Sequence, residues 1–344
     1  MRDSLAAALI AAVFWCLLGW SAAGGLLAPG SSAEDTVPGP AALAPTAAVG
    51  SSDWEAADSS EPENPPGPAA GDFDESFLLP VLADGEVVSI RLHDYLTGVL
   101  LAEMPLSFPD EALKAQAVAS RTYALRRYEH RKHEAAAVCT ASGCCQAWRD
   151  PAAADPAERE RAEAMVRATD GLAIYYKGAL IEATFFACSG GRTEDAAAVW
   201  GGELPYLRAV DSPGEEEAAH FTDETRIPLE TFRNALRELD EAVVFPEALG
   251  GWVGTIRYTP GGGVEEIVLG GRPFTGKQLR KRFGLRSTAF TLELTAEEAV
   301  FLTRGWGHRV GMSQCGAAAM AEQGAGFAEI LEWYYQGVGI GPAE

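Results

Sequence analysis

Glu103 stands seven and three residues after Leu96 and Leu100 and is followed by Met104-Pro105. On a helix these three side chains share one face. Pro105 ends that helix, because the residue before a proline avoids the α region. A carboxyl group placed there is partly buried and sits at the negative end of the helix dipole. Both effects oppose ionisation and raise its pKa. A carboxyl kept protonated near neutral pH can act as the general acid that breaks a glycosidic bond. The same spacing also accommodates a surface glutamate, or one satisfied by an arginine.

Two glycine-rich stretches offer contacts rather than acid–base chemistry. Gly305-Trp306-Gly307-His308-Arg309-Val310-Gly311-Met312-Ser313-Gln314 places three glycines within seven residues, which permits unusual backbone angles and close approach of a ligand. His308 and Gln314 can hydrogen-bond, and Trp306 can present a flat face to a sugar ring. Cys188-Ser189-Gly190-Gly191-Arg192-Thr193 is a second such turn after a strand signal. Plain structural turns remain the alternative for both.

The cysteines form a separate problem. Cys16 belongs to the N-terminal apolar run, leaving Cys139, Cys144, Cys145, Cys188 and Cys315. An odd number in an oxidising compartment cannot all pair. His133, Cys139, Cys144 and Cys145 crowd into 13 residues. Four such ligands suit tetrahedral zinc, although adjacent cysteines make a small chelate. One disulfide with a spare thiol is the competing reading.

These groups must be positioned by secondary structure. Phe77–Leu82 and Val87–Leu92 read as strands around Ala83-Asp84-Gly85-Glu86. Helices are predicted from His93 to Met104, Pro109 to Arg131 and Pro156 to Thr169, the second with Ser107 as N-cap and a stripe of Leu113, Ala117, Ser120 and Ala124. Strands fit Leu172–Tyr176 and Leu180–Phe186. A helix, Leu229–Leu239, opens strand-like and glycine-rich sequence, so that residues 211–300 read as a possible subdomain. Ala317–Glu322 and Ala328–Tyr335 close the chain as helices. Without regular βαβ alternation the expected class is α+β, with mixed helices and mostly antiparallel strands around a cleft.

The chain has 344 residues, 49 acidic and 27 basic, for a net charge of −22. That charge argues against a nucleic-acid binder, which needs a basic footprint. Ten of the acidic residues lie between Ser31 and Glu75, where there is no Lys or Arg. Residues 28–76, rich in Ala, Pro and Gly, are therefore expected to be a disordered linker. Residues 5–27 carry no charge, a length that can cross the roughly 30 Å hydrocarbon core. With Arg2 before it and acidic residues after it, the run places residues 1–4 in the cytoplasm and the domain 77–344 outside. A cleaved signal peptide is the other reading of this run.

The motifs together resemble the stage II sporulation protein D family. They are Glu103-Met104-Pro105 with Phe108-Pro109 and the run Ala112 to Ala124. Ser189-Gly190-Gly191, Val199-Trp200-Gly201 and Pro205-Tyr206-Leu207 follow, then Gly305 to Gln314 with Trp333-Tyr334-Tyr335. The resemblance covers residues 77–342 in order. It implies a membrane-anchored peptidoglycan lytic transglycosylase. Such an enzyme cuts MurNAc–GlcNAc linkages in peptide-stripped glycan strands during forespore engulfment, alongside other sporulation membrane proteins and a cell-wall amidase. It implies Glu103 as the catalytic acid. Arg121, Ser189, Gly190, Arg192, Trp306, His308 and Gln314 in these blocks are the expected substrate-binding residues. It also implies a structural zinc on His133, Cys139 and Cys145, with Cys144 in the place of a His ligand of some relatives. The alternative it leaves is a non-catalytic, wall-binding enhancer of an N-acetylmuramoyl-L-alanine amidase. Cys188, Cys315 and Arg309 depart from the Thr, Tyr and Gly common in relatives. The two cysteine departures are read either as a disulfide or as two unrelated substitutions.

Overall fold

The computed structural model describes residues 72–343. The apolar run 5–27 and residues 28–71 of the expected linker lie outside the described residues. Among the described residues no helix is long and apolar enough to cross a membrane. The end of the expected linker is folded, which corrects its boundary at residue 76. Phe73–Ser76 form a helical turn, α1, and its Asp74 is buried. Asp170 accepts the N–H groups of Phe73 and Asp74 (3.2 and 2.9 Å). Asp74 in turn accepts Nε and Nη2 of Arg121 (2.8 and 2.5 Å). Composition makes Asp74 one more linker charge; a buried partner 47 residues away makes it part of the core.

β1 (Leu78–Ala83) and β2 (Glu86–Arg91) pair antiparallel around Asp84-Gly85. Both turn residues have positive φ, as a two-residue hairpin with matched twist requires. α2 (Leu92–Glu103) follows, and Met104 leaves it extended before Pro105. In α3 (Asp110–Glu129) the N-cap position is Pro109, not Ser107, and no side chain caps it. The expected stripe understates this helix: from Ala112 to Leu125 every residue except Lys114 is buried. Its alanines let α2, the later helices and a sheet close on it from all sides. β3 (Val138–Cys139) lies parallel to β1. α4 (Pro156–Arg167) is capped by Asp155, which accepts from Ala157 and Glu158 N–H. β4 (Leu172–Tyr176) pairs with β5 (Ala179–Leu180). The strand expected over 180–186 is instead two pieces, β5 and β6 (Phe185–Phe186). α5 (Ala196–Trp200) ends at left-handed Gly201.

The chain then leaves this core and builds a second. β7 (Thr222–Pro228), α6 (Leu229–Leu239), β8 (Val253–Tyr258), β9 (Val264–Leu269), β10 (Arg272–Thr275), α7 (Gly276–Phe283), β11 (Phe290–Leu294) and β12 (Glu298–Arg304) make two three-stranded antiparallel sheets. They enclose an apolar cluster from Ile227 to Phe301 that includes Phe232, Phe290 and Leu279. The return is through β13 (Met312–Ser313), parallel to β6, then α8 (Gln314–Glu322), α9 (Phe327–Tyr334) and β14 (Gly339–Pro342) on β4. The class is α+β: nine helices and mostly antiparallel strands among the described residues.

Candidate functional site

Glu103 ends α2 half-buried, with Leu96 and Leu100 buried on its face. Its Oε1 accepts the N–H of Ala147 at 2.6 Å. Its Oε2 has no hydrogen-bond partner among the described residues and is not sealed from solvent. Burial pushes the carboxyl pKa above its ordinary value; the Ala147 bond opposes this but does not cancel it. Among the described residues no cation offsets the burial, so the arginine-paired reading of the sequence does not hold there.

The loop that supplies Ala147 begins at the cysteine cluster. The donor atoms of His133, Cys139, Cys144 and Cys145 all lie within 4.8 Å of one another. His133 Nε2 is 3.4 Å from Cys145 Sγ and 3.8 Å from Cys144 Sγ. Tetrahedral zinc, with Zn–S near 2.3 Å and Zn–N about 2.0–2.1 Å, spaces its ligands by about 3.5–3.8 Å. The two His133 distances match that spacing, and the whole donor set, spread over no more than 4.8 Å, needs only a small contraction to close on a zinc ion. The adjacent cysteines reach one point because the turn brings both of their N–H groups onto the Ala141 carbonyl. From the cluster the chain passes Gln146, whose Oε1 accepts Tyr95 Oη (3.1 Å), then Ala147 on Glu103, then Arg149, whose N–H donates to Gly98 O. Gly98 lets the loop lie flat on α2: a Cβ there would strike Trp148 Nε1 and come within 2.6 Å of Arg149 O.

The second group of expected residues gathers where the two cores meet. Cys188 and Trp306 exchange backbone hydrogen bonds, joining the two glycine-rich stretches. Glu215, buried, collects Ser189 N and Oγ, Gly190 N and Cys188 Sγ on Oε2 (2.8–3.2 Å) and Ser212 Oγ on Oε1 (2.6 Å). Glu194 Oε1 accepts Thr259 Oγ1 and Gly263 N, both at 2.8 Å, and Arg309 Nη1 at 3.3 Å. Arg309 also donates to the carbonyls of Ser189, Arg192 and Gly261 and so ties the first core to the second. Its φ of 65° explains why a glycine would suit this position.

A cavity of about 380 Å³ opens beside this junction, lined by Glu194, Trp200, Thr259, Lys277, Arg280 and His308 among others. His308 Nδ1 accepts the Val310 N–H, and its ring lies 5.4 Å from that of Trp200. Burial and the Arg280 charge hold its pKa down to about 4, against a bond to the Phe185 backbone, so it is neutral at pH 7.

The expected substrate residues divide accordingly. His308 lines the cavity. Trp306 is half-buried between His220 (4.2 Å ring to ring) and the Arg286 guanidinium (4.1 Å). Arg192 is partly exposed and paired with Asp211. Gly190 makes a turn at φ 72° against Gly305 N. Ser189 is fully buried on Glu215, and Gln314 is buried with its Nε2 3.3 Å from Gln116 Oε1. Arg121 is corrected outright: it is fully buried on Asp74 and the Leu172 carbonyl, with no surface to offer a glycan. Glu194, Arg280 and Lys277 were not expected. Glu194 takes its place from contacts across more than 60 residues, as in its bond to Gly263, and Lys277 and Arg280 from the cavity wall they share with it; no local pattern marks them.

The profile of the Stage II sporulation protein family matches residues 84–176. Over 269 residues the chain is 34% identical to Stage II sporulation protein D of Bacillus amyloliquefaciens, covering 75% of this chain and 76% of that one. This chain belongs to the stage II sporulation protein D family. The protein of that name from Bacillus subtilis (strain 168) is 32% identical over 273 residues, 76% of this chain and 78% of its own. The amidase enhancer of the same organism is 25% identical over 292 residues, which is 70% of this chain and 39% of the enhancer. In this member of the sporulation protein D family, Glu103, its loop and the four donor residues all lie within the stretch matched by the profile.

Proposed function

We propose that this sporulation protein is a lytic transglycosylase that cleaves MurNAc–GlcNAc linkages in peptide-stripped peptidoglycan during forespore engulfment. It works outside the cytoplasm from the anchor at residues 5–27, alongside other sporulation membrane proteins and a cell-wall amidase. The observation that carries the reading is Glu103: one oxygen held by a backbone N–H, the other open, and no cation to keep the group ionised. Protonated Glu103 gives its proton to the glycosidic oxygen as the C1–O bond breaks. The 6-hydroxyl of the same MurNAc then attacks C1 and returns its proton to Glu103, leaving a 1,6-anhydro end. No water is consumed, so the second carboxylate that a hydrolase needs is not required. Trp200 offers a flat face in the cavity, beside a neutral His308 whose ring nitrogens are held by the backbone, while Lys277 and Arg280 would meet the lactyl carboxylates that peptide removal exposes.

His133, Cys139, Cys144 and Cys145 would hold zinc with no open position, so the metal would supply structure alone. What it braces is the loop whose Ala147 N–H fixes Glu103. Chelation should then lower the melting temperature and the cleavage rate together.

The test is mass spectrometry of denuded glycan strands after incubation with the protein. Anhydro ends support the reading, and reducing ends released with water sink it. A chain that binds strands, cleaves none and accelerates a cell-wall amidase fits instead the enhancer reading, which the similarity to an amidase enhancer favours.

A further inference from the structure

Cys188 and Cys315 sit across a pair of parallel strands. β6 and β13 are in register at Phe186 and Ser313. Both cysteines lie two residues beyond these paired positions, and the two chains are still joined there, with Cys315 N–H on the Ala187 carbonyl (3.0 Å). Both thiols are free, and each shifts the pKa of the other.

The two are not equivalent. Cys188 is fully buried, and its Sγ lies 3.2 Å from Glu215 Oε2. Cys315 is half-buried and is the second residue of α8, a nine-residue helix capped by Ser313. A helix N-terminus stabilises a thiolate. The neighbouring Cys188 and this position agree with a Cys315 thiol held below its ordinary pKa, while the Cys188 thiol is pushed well up, first by Cys315 beside it and then by burial. The Glu215 carboxylate reaches the pair because Gly316 has no side chain: a Cβ there would strike Tyr334 Oη, Ser212 Oγ and Glu215.

We propose that Cys188 and Cys315 are a redox-active dithiol that reacts with disulfides through Cys315. The Cys315 thiolate attacks one sulfur of a disulfide, RS–SR, and expels the first RS⁻. Cys188 attacks the Cys315 sulfur of the mixed disulfide as its proton passes to the departing second RS group. The two cysteines lose two hydrogens between them, and the disulfide is reduced to two RSH. The new bridge ties Cys188, hydrogen-bonded to Trp306 beside the cavity, to the start of α8.

The test treats the folded protein with oxidised glutathione, then alkylates and digests it with trypsin. Cys188 falls in the peptide 178–192 and Cys315 in 310–344, each as its only cysteine, apart from the cluster on 133–149. The expected result is 178–192 cross-linked to 310–344, released by dithiothreitol, and a melting temperature raised by about 10 °C for a bridge closing so long a loop. In Cys188→Ser the glutathione should stay on Cys315, and in Cys315→Ser the remaining Cys188 should stay unmodified. Recovery of both wild-type peptides alkylated and unlinked overturns the proposal, as does glutathionylation of Cys188 in Cys315→Ser at the rate seen for Cys315 in Cys188→Ser. The wild-type peptide map decides even if a variant fails to fold.

Discussion

Glu103 and Glu215 are both carboxylates drawn into the first core, and they are surrounded in opposite ways. Glu215 receives five hydrogen bonds from four residues. Glu103 receives one and keeps an oxygen free. A saturated carboxylate is a structural anion whose donors would be orphaned without it. An under-satisfied one is raised in pKa and has a proton to exchange. The difference separates the group that holds the fold from the group that can react.

The largest effect should come from the open carboxylate. Glu103→Gln keeps the shape and removes the transferable proton, so cleavage should drop by about 10²–10⁴-fold with the melting temperature unchanged. Retention of even a third of the activity would end the assignment. Next is the ion pair in which Asp74 receives every oxygen contact from Arg121. Asp74→Ala strands a fully buried guanidinium and should cost about 3–5 kcal/mol in denaturant unfolding. A loss below about 1 kcal/mol would return Asp74 to the linker. Gly98→Ala should push the 146–149 loop off α2 and move the Ala147 N–H away from Glu103. A shift near 1 Å is worth about 10²-fold in rate, so a variant as active as its parent would show that the loop does not set the acid. Glu215→Gln should do the reverse of Glu103→Gln, costing about 1–3 kcal/mol of stability because an amide cannot accept all five bonds. A dead but fully stable Glu215→Gln would erase the contrast.

The last effect is a pH dependence at His308, confined to acid conditions. Its folded pKa of about 4 lies below the ordinary 6.5. Between those values the unfolded chain binds a proton that the folded chain does not, so stability falls as pH drops through that window. His308→Phe should flatten the stability profile there, and an unchanged slope would place the acid sensitivity elsewhere.

Much of this was legible residue by residue. Leu96, Leu100 and Glu103 share a face because helical spacing demands it, and Met104 is extended because a proline follows. The His133–Cys145 spacing marked a convergent donor set because its members are within one turn and one short strand of each other. Other features were hidden for an equally physical reason. Asp74 read as solvent charge because its composition neighbours are charged, whereas its fate depends on Arg121. Arg121 read as a contact residue because nothing in a helix repeat reveals that all of its sides are enclosed.

Local chemistry is therefore what the sequence alone determined: the longer helices, where proline and glycine end them, the α+β class, a glutamate at the end of α2 and four clustered His and Cys donors. Each depends on neighbours within a few residues, where spacing and propensity act directly. Only the tertiary structure decided how satisfied each polar group is. Glu103 keeps an oxygen open, Glu215 does not, Arg121 is consumed by Asp74, and Cys188 meets Cys315. Those outcomes hang on partners brought together from distant points of the chain, and burial and hydrogen bonding, which set both stability and reactivity, exist only once they have met.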